Sequence, residues 1–370
     1  MPQDRETVAK EVASTNPVAV PALKNAYYPL FDWLRITLAT VVALFHERLL
    51  LHWQSWGNLA VQVFFALSGW LIGGILLETS PRNLARFWFN RATRIWIPYG
   101  IGLALLLGVS ILRDPITRKW AEFVFYKLTF TYNLFGPPQL ASSVSMMPLQ
   151  GTGNHYWSIC AEEQFYLLAP LVIVLLPRRI GRSLALWAMI VVVTNTTTAT
   201  SHYAAITLGV LAAIAHERFG NWHQTAVAKC GLLLVVVITA IAMAKGAPPY
   251  QFVAPFFSIA VVLLLAREGR KSKVGSFLGG VSYPFYLNHW IGVFAVHAAL
   301  KPFGLRDSLL AKVLAFFVSL GICSVLYILV DRRVMAVRGR WFRQRLGWTL
   351  AVSGFAAVAI GIAGKLILFR

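Results

Sequence analysis

Arg35 and His46 are the first side chains in this 370-residue sequence whose types and spacing could do chemistry. Both lie in one apolar segment, where ionisable groups are costly and mark candidate functional sites. Eleven helical steps return to nearly the same face after a rise of about 16 Å. Arginine can hold phosphate, and histidine can accept a hydroxyl proton near neutral pH. The pair therefore predicts a phosphate site and a general base, the alternative being a snorkelling arginine and a packed histidine.

Two further arginines, Arg91 and Arg94, come shortly before Pro98. Residues three apart share a helix face, so both guanidinium groups could bind one phosphate-bearing ligand. The alternative is the ordinary basic charge that borders membrane helices on the cytoplasmic side.

Two adjacent carboxylates, Glu162 and Glu163, follow Trp157 and Ser158 at the start of another apolar segment. A glutamate here could orient a histidine, hold a sugar hydroxyl or bind a proton. Because adjacent helical residues point about 100° apart, we expect only one of the two to face a site. The alternative is that both are acids favoured at a helix N-terminus.

The last group, Tyr286 and His289, lies in an apolar segment that Pro284 should break or kink. The three-residue spacing puts both side chains on one helix face. They could bind a substrate there, or His289 could be a hydrogen-bonded interior histidine.

The surrounding chain is 58% hydrophobic and 13% charged, against roughly 25% charged in ordinary soluble proteins. It cannot hide that much apolar surface in water, so part of its solvent must be lipid. The net charge of +20 is explained by basic cytoplasmic loops and requires no nucleic acid. Three scattered cysteines provide neither metal-ligand spacing nor a disulfide framework.

We predict an all-α transmembrane bundle of about 11 helices, because each span needs about 20 mostly apolar residues. The predicted spans are 30–50, 59–77, 95–112, 158–176, 183–200, 203–217, 228–245, 250–266, 277–299, 309–330 and 347–368. Residues 120–136 are semi-polar and are predicted to be interfacial or re-entrant. Every even-numbered connection is basic, which predicts a cytoplasmic N-terminus and an extracytoplasmic C-terminus.

Five motifs, taken together in this order, resemble the acyltransferase-3 family of bacterial integral membrane O-acyltransferases. They lie at 31–35 with His46, 61–69, 91–98, 157–166 and 282–289, and the resemblance spans about residues 30–330. Departures from the family pattern occur at Gln62, Pro284, Asn288 and Asp331. These bear on substrate details more than on the reaction. The eleventh helix is an addition to the family's ten.

The resemblance implies transfer of an acyl group, usually acetyl, from cytoplasmic acyl-CoA to a hydroxyl of an extracytoplasmic carbohydrate. It assigns catalysis to His46, as general base, and to Glu162. The residues implied for the CoA phosphates are Arg35, Arg91 and Arg94. The candidate acceptor-binding residues are Trp157, Ser158, Glu163, Tyr286 and His289. No metal and no permanently bound cofactor is expected, since acyl-CoA is a substrate.

The predicted organisation is a polar cytoplasmic segment at 1–27, an acyltransferase membrane domain at 28–335, and a basic loop with the extra helix at 336–370. We expect a multi-pass protein of the bacterial cytoplasmic (inner) membrane. Two other classes stay open, a proton-coupled secondary transporter that uses the same side chains and a non-catalytic scaffold for polysaccharide export. An acyltransferase of the MBOAT type is a lesser rival, because its Asn/Asp and His pattern is unmatched. Acceptor, acyl group and oligomeric state are not defined by the sequence.

Overall fold

The computed structural model describes residues 27–369 apart from 51, 52, 54, 137–140, 199 and 247. Its described part contains twelve helices of seven or more residues, which confirms the predicted all-α class. They are α1 Pro29–His46, α2 Trp56–Glu78, α3 Leu84–Arg113, α4 Arg118–Leu128, α5 Trp157–Pro170, α6 Leu184–Thr196, α7 Ala204–Phe219, α8 Ala226–Lys245, α9 Tyr250–Leu265, α10 Lys273–Leu300, α11 Leu309–Trp341 and α12 Gln344–Ile367. Most of the segment predicted at 1–27 lies outside the described residues.

Seven stretches in the described part of the chain are long and apolar enough to cross a membrane, so the protein is multi-pass. They contain helices α1, α2, α3, α5, α8, α11 and α12. Helices α6 and α9 are also apolar but shorter. Each segment predicted as a span contains a helix, and the segment predicted as interfacial contains the short helix α4.

Helix α2 forms the centre of the bundle and packs closely against α7 through two glycines. A Cβ atom on Gly69 would collide with the backbone carbonyl of Ile206, and one on Gly209 would lie 2.6 Å from the backbone nitrogen of Trp70. Small residues let membrane helices approach closely, since lipid supplies no hydrophobic force to drive them together. The close packing of α2 against α7 therefore requires glycine at both positions, because a side chain would meet the backbone of the facing helix.

Helices α1 and α10 also meet at a glycine. A Cβ atom on Gly279 would lie 2.6 Å from Oδ1 of Asp32. Asp32 in turn accepts hydrogen bonds from Arg35, at 3.1 Å, and from the Tyr27 hydroxyl. The close approach of these helices also brings His46, at the end of α1, to 2.8 Å from His289 on α10.

The C-terminal helix α12 packs along α3 and α5 through glycines spaced seven residues apart. Gly347 lies against the carbonyl of Ala85, and Gly354 lies where a Cβ would be 2.9 Å from the Leu167 side chain. Gly361 lies against Thr131 in the same way. The helix predicted as an addition to the family core is thus packed into the bundle.

Gly347→Ala should destabilise the protein by about 1–3 kcal/mol, because the new methyl group has to displace the backbone of α3. Thermal unfolding in detergent would measure this. Gly321→Ala is the matched control, since Gly321 is exposed in helix α11 and a Cβ there meets nothing within 4 Å. Equal unfolding temperatures for the two variants would contradict a packing role for α12.

Candidate active site

A cavity of about 220 Å³ lies between helices α1, α2, α3, α5 and α10 and is called here the arginine cavity. Its polar lining consists of Arg35, Arg91, Arg94, Ser68, Ser158, Glu162, Tyr166, Ser282, Tyr283 and Tyr286. The rest of its wall is mostly aliphatic and aromatic, chiefly from α2. A cavity with an arginine cluster and a long apolar wall suits a ligand that has both anionic and uncharged parts.

The three predicted arginines come together in this cavity from two helices. Arg35 projects from α1, while Arg91 and Arg94 are three residues apart on α3. Arg35 is held by Asp32, whereas the buried Nε of Arg91 has no hydrogen-bond partner. A buried donor without a partner is costly, and an anionic ligand would satisfy it.

Glu162 lies in the arginine cavity and accepts hydrogen bonds from the hydroxyls of Ser68 and Tyr166. Its neighbour Glu163 is buried and is absent from the cavity wall, as expected for adjacent helical residues. The structure therefore groups Glu162 with the arginines and places it outside the histidine cluster.

A second cavity, of about 270 Å³, is called here the histidine cavity. It is lined by His46, Glu47, Gln150, Gly151, Thr152, Asn154, His155, His289, Trp290, Val293 and Phe294. His46 ends helix α1, so it lies about 16 Å along the helix axis from Arg35. The two predicted functional residues of α1 thus line different cavities.

Three histidines meet at the histidine cavity. Nδ1 of His46 and Nε2 of His289 are 2.8 Å apart, and the His155 ring centroid lies 5.5 Å and 4.9 Å from those of His46 and His289. His46 is exposed to the cavity, while the other two are buried. Among the described residues, this cluster is the one set of three His, Cys, Asp or Glu side chains close enough to bind one metal ion.

His155 was missed in the sequence reasoning. It lies in the short turn Asn154–Tyr156, just before helix α5, and no apolar periodicity marks it. The signal that could have found it is its position two residues before Trp157, at the start of a motif already singled out.

A polar partition separates the two cavities. The hydroxyls of Ser158 and Tyr286 share a 2.6 Å hydrogen bond, and the Tyr286 hydroxyl also lies 3.0 Å from the carbonyl of His155. Both side chains line the arginine cavity, while His155 and His289 line the histidine cavity. Trp157 packs edge-on against Phe65 beside this partition.

The loop over the histidine cavity has a strained backbone. Leu149 and Gln150 have φ angles of 48° and 51°, in the left-handed region that costs non-glycine residues about 1–3 kcal/mol each. Two charged groups hold the loop: Asp114 accepts a 2.7 Å hydrogen bond from the Leu149 N–H, and Lys127 donates one of 2.7 Å to the Gly153 carbonyl. The fixed loop presents Gln150, Thr152 and Asn154 to the cavity.

The family model described as an acyltransferase domain, acyltransferase-3, matches residues 28–328. O-acetyltransferase OatA of Staphylococcus aureus strain NCTC 8325 is 30% identical over 178 residues, which are 44% of this chain and 28% of OatA. A protein of strain COL, named a putative O-acetyltransferase, is 32% identical over 163 residues, 41% of this chain and 26% of that protein. The alignments thus span about a quarter of these relatives. No solved structure matches the chain.

Lys127 provides a test of the loop anchor, because burial lowers the pKa of its ammonium group to about 7. In the unfolded chain, the Lys127 side chain keeps its proton up to about pH 10. Between about pH 7 and pH 10 the unfolded state therefore binds more protons than the folded state. The wild type should therefore gain stability relative to Lys127→Met as the pH rises from 7 to 10, by roughly 1 kcal/mol per pH unit.

Paired unfolding curves at pH 6.5 and 9.5 would measure this difference. Lys245→Met, which removes an exposed lysine, is the matched control. A stability difference for Lys127→Met that does not change with pH would mean that the buried ammonium group is not titrating in this range.

Proposed function

Because this chain belongs to the acyltransferase-3 family of membrane acyltransferases, we propose that it transfers an acyl group from acyl-CoA to a hydroxyl of an extracytoplasmic carbohydrate. Acetyl is the acyl group we propose first, since the relatives are named O-acetyltransferases. The observation that carries the proposal is the pairing of an arginine cavity and a histidine cavity across one thin partition.

The arginine cavity is the proposed donor site. Three guanidinium groups offer paired N–H donors suited to the phosphates of CoA, and these donors include the unpartnered Nε of Arg91. The separation of Arg35 from His46, about 16 Å along α1, is similar to the length of the pantetheine arm. The thioester of a bound acyl-CoA would thus reach the partition near His46.

His46 is the proposed general base of the transfer. It accepts the proton of the acceptor hydroxyl while the oxygen attacks the thioester carbonyl carbon. The resulting tetrahedral intermediate collapses with cleavage of the C–S bond, and His46 returns its proton to the CoA sulfur. Atoms and charges balance without a further reactant.

The other predicted site residues take roles that follow their cavities. Glu162 fixes the hydroxyls of Ser68 and Tyr166 in the donor wall, away from direct contact with the base. Ser158 and Tyr286 form the partition through which the thioester must reach the acceptor. Trp157 packs against Phe65 and Glu163 is buried, and neither lines one of the two cavities, so their contact with the acceptor stays a prediction.

We propose that the arginine cavity faces the cytoplasm and the histidine cavity the opposite side of the bacterial inner membrane. Basic residues concentrate in the even-numbered connections, and acyl-CoA is a cytoplasmic metabolite. This orientation places the N-terminus in the cytoplasm and the C-terminus outside.

A secondary transporter is the second candidate function. Two cavities separated by a hydrogen-bonded partition also suit alternating access, with the same arginines and histidines binding the cargo. Turnover of acyl-CoA by the purified protein separates the two functions, because a transporter would leave the thioester intact.

His46→Ala should lower acetyl-CoA turnover about 10²–10⁴-fold, the range of general-base assistance, in a protein that still folds. Release of CoA from radiolabelled acetyl-CoA by detergent-purified protein would measure this. His216→Ala, on helix α7 and outside both cavities, is the control. Undiminished turnover in His46→Ala would remove His46 from the mechanism, and a non-catalytic scaffold would show no turnover even in the wild type.

Arg91→Gln should raise the KM for acetyl-CoA about ten- to hundredfold with little change in kcat, the size expected for a lost charge-assisted hydrogen bond. S-acetylpantetheine lacks the CoA phosphates, so wild type and variant should use it equally. Arg218→Gln, an exposed arginine on α7, is the control. An equal loss with both donors would show that Arg91 acts structurally and does not bind phosphate.

A further inference from the structure

The hydrogen bonds around His289 define which of its ring nitrogens carries the proton. Nδ1 lies 3.1 Å from the carbonyl oxygen of Tyr286 and 3.3 Å from that of Phe285. A carbonyl oxygen can only accept a hydrogen bond, so Nδ1 must carry the proton. In the neutral ring, Nε2 is then left with a lone pair.

That lone pair in turn defines the tautomer of His46. Nε2 of His289 is 2.8 Å from Nδ1 of His46, and an unprotonated nitrogen can only accept. Nδ1 of His46 therefore donates, and its Nε2 is unprotonated. Since the His46 side chain is exposed to the cavity, this second nitrogen is accessible to a substrate.

We propose that His289 is a positioning residue that fixes the tautomer of His46 and makes Nε2 the atom that accepts the acceptor proton. The proposal rests on the proposed function. The proton moves from the acceptor O–H to Nε2 of His46, the O–C bond forms and the C–S bond breaks. Nε2 then returns the proton to the leaving thiolate. Throughout, Nδ1–H of His46 stays bonded to His289, which supports the positive charge on His46.

A neutral histidine suits this position better than the carboxylate that usually orients a catalytic histidine. A buried carboxylate needs a partner, as Glu47 in the same cavity has in His297 at 3.3 Å, whereas a neutral ring anchored by helix carbonyls needs no counter-charge. His155 follows the same pattern, because its Nε2 lies 3.2 Å from the Leu287 carbonyl. The neutral array can therefore take up one proton as the reaction proceeds.

The distance between the two ring nitrogens favours a hydrogen bond between the histidines over a metal site. Two histidines on a tetrahedral zinc ion, at 2.0–2.1 Å from the metal, have their nitrogens about 3.3 Å apart. His46 and His289 approach to 2.8 Å, which is the length of an N–H···N hydrogen bond. A bound metal would also occupy the lone pair that makes His289 an acceptor.

Two substitutions of His289 separate an orienting role from mere packing. His289→Gln keeps an acceptor oxygen for the His46 N–H, so kcat should stay within about tenfold of wild type. His289→Leu removes the acceptor, so kcat should fall about 10²–10³-fold with an unchanged KM for acetyl-CoA. Because the two residues act as a unit, His46→Ala/His289→Leu should be no slower than His46→Ala alone.

The matched controls are His223→Gln and His223→Leu. His223 is also buried, and its ring bonds a backbone carbonyl, that of Ala266 at 3.1 Å, but it lies outside both cavities. Neither control should change kcat. Size-exclusion chromatography and thermal unfolding would show which variants fold, and the Gln variant decides the question if the Leu variant does not fold.

A measurement without turnover tests the tautomer directly. In ¹⁵N-histidine-labelled protein in nanodiscs, the His46 signals, identified by their loss in His46→Gln, should show a protonated Nδ1 and an unprotonated Nε2. The reverse assignment overturns the proposal even if the protein turns over no acyl-CoA. In an active protein, a folded His289→Leu with wild-type kcat, a folded His289→Gln as slow as His289→Leu, or stoichiometric zinc that activity requires would each overturn it as well.

Discussion

Helix α1 carries Arg35 and His46 near its two ends, and its hydrogen-bonded backbone fixes their separation at about 16 Å along the axis. The other helices complete the two cavities around this fixed pair. Helix α3 adds Arg91 and Arg94 near Arg35, while α10 adds His289 near His46. In the proposed function, α1 therefore sets the length of donor that the site accepts. The distance from the CoA phosphates to the reacting carbonyl must match the separation of Arg35 and His46.

Several of the buried ionisable groups are satisfied by neighbouring side chains, whereas the buried Nε of Arg91 and Oε2 of Glu163 have no hydrogen-bond partner. Asp32 forms an ion pair with Arg35, and Glu162 accepts hydrogen bonds from the hydroxyls of Ser68 and Tyr166. Both carboxylates therefore have partners, and Asp32 is the one of the two that is paired with an arginine. The histidines at the other end avoid charge altogether by pairing ring N–H groups with carbonyls and lone pairs. The two ends of α1 thus differ in kind: one attracts anions and the other can take up a proton.

Much of the helical fold could be predicted from the sequence, because long apolar segments in this chain have no soluble alternative. The same-face placement of Arg35 and His46 could be predicted from helical geometry alone. The depth of a residue on a different helix could not, so the sequence left open whether Glu162 orients a histidine, holds a sugar hydroxyl or binds a proton, and in the structure it lies with the arginines. His155 was missed because it lies in a polar connection, and only the packing of α1, α5 and α10 brings it beside the other histidines.

The helices and the loop at the histidine cavity supply different groups to the site, and this bears on acceptor specificity. The residues proposed for the chemistry lie mainly on helices, held by close glycine contacts such as that of Gly279 with Asp32. Three of the polar side chains that line the histidine cavity, Gln150, Thr152 and Asn154, come from the strained loop, which Asp114 and Lys127 hold in place. A loop can change its sequence without disturbing packed helices. In the proposed function, a change of sequence at this loop would therefore alter the acceptor preference while the donor site and the base stay the same.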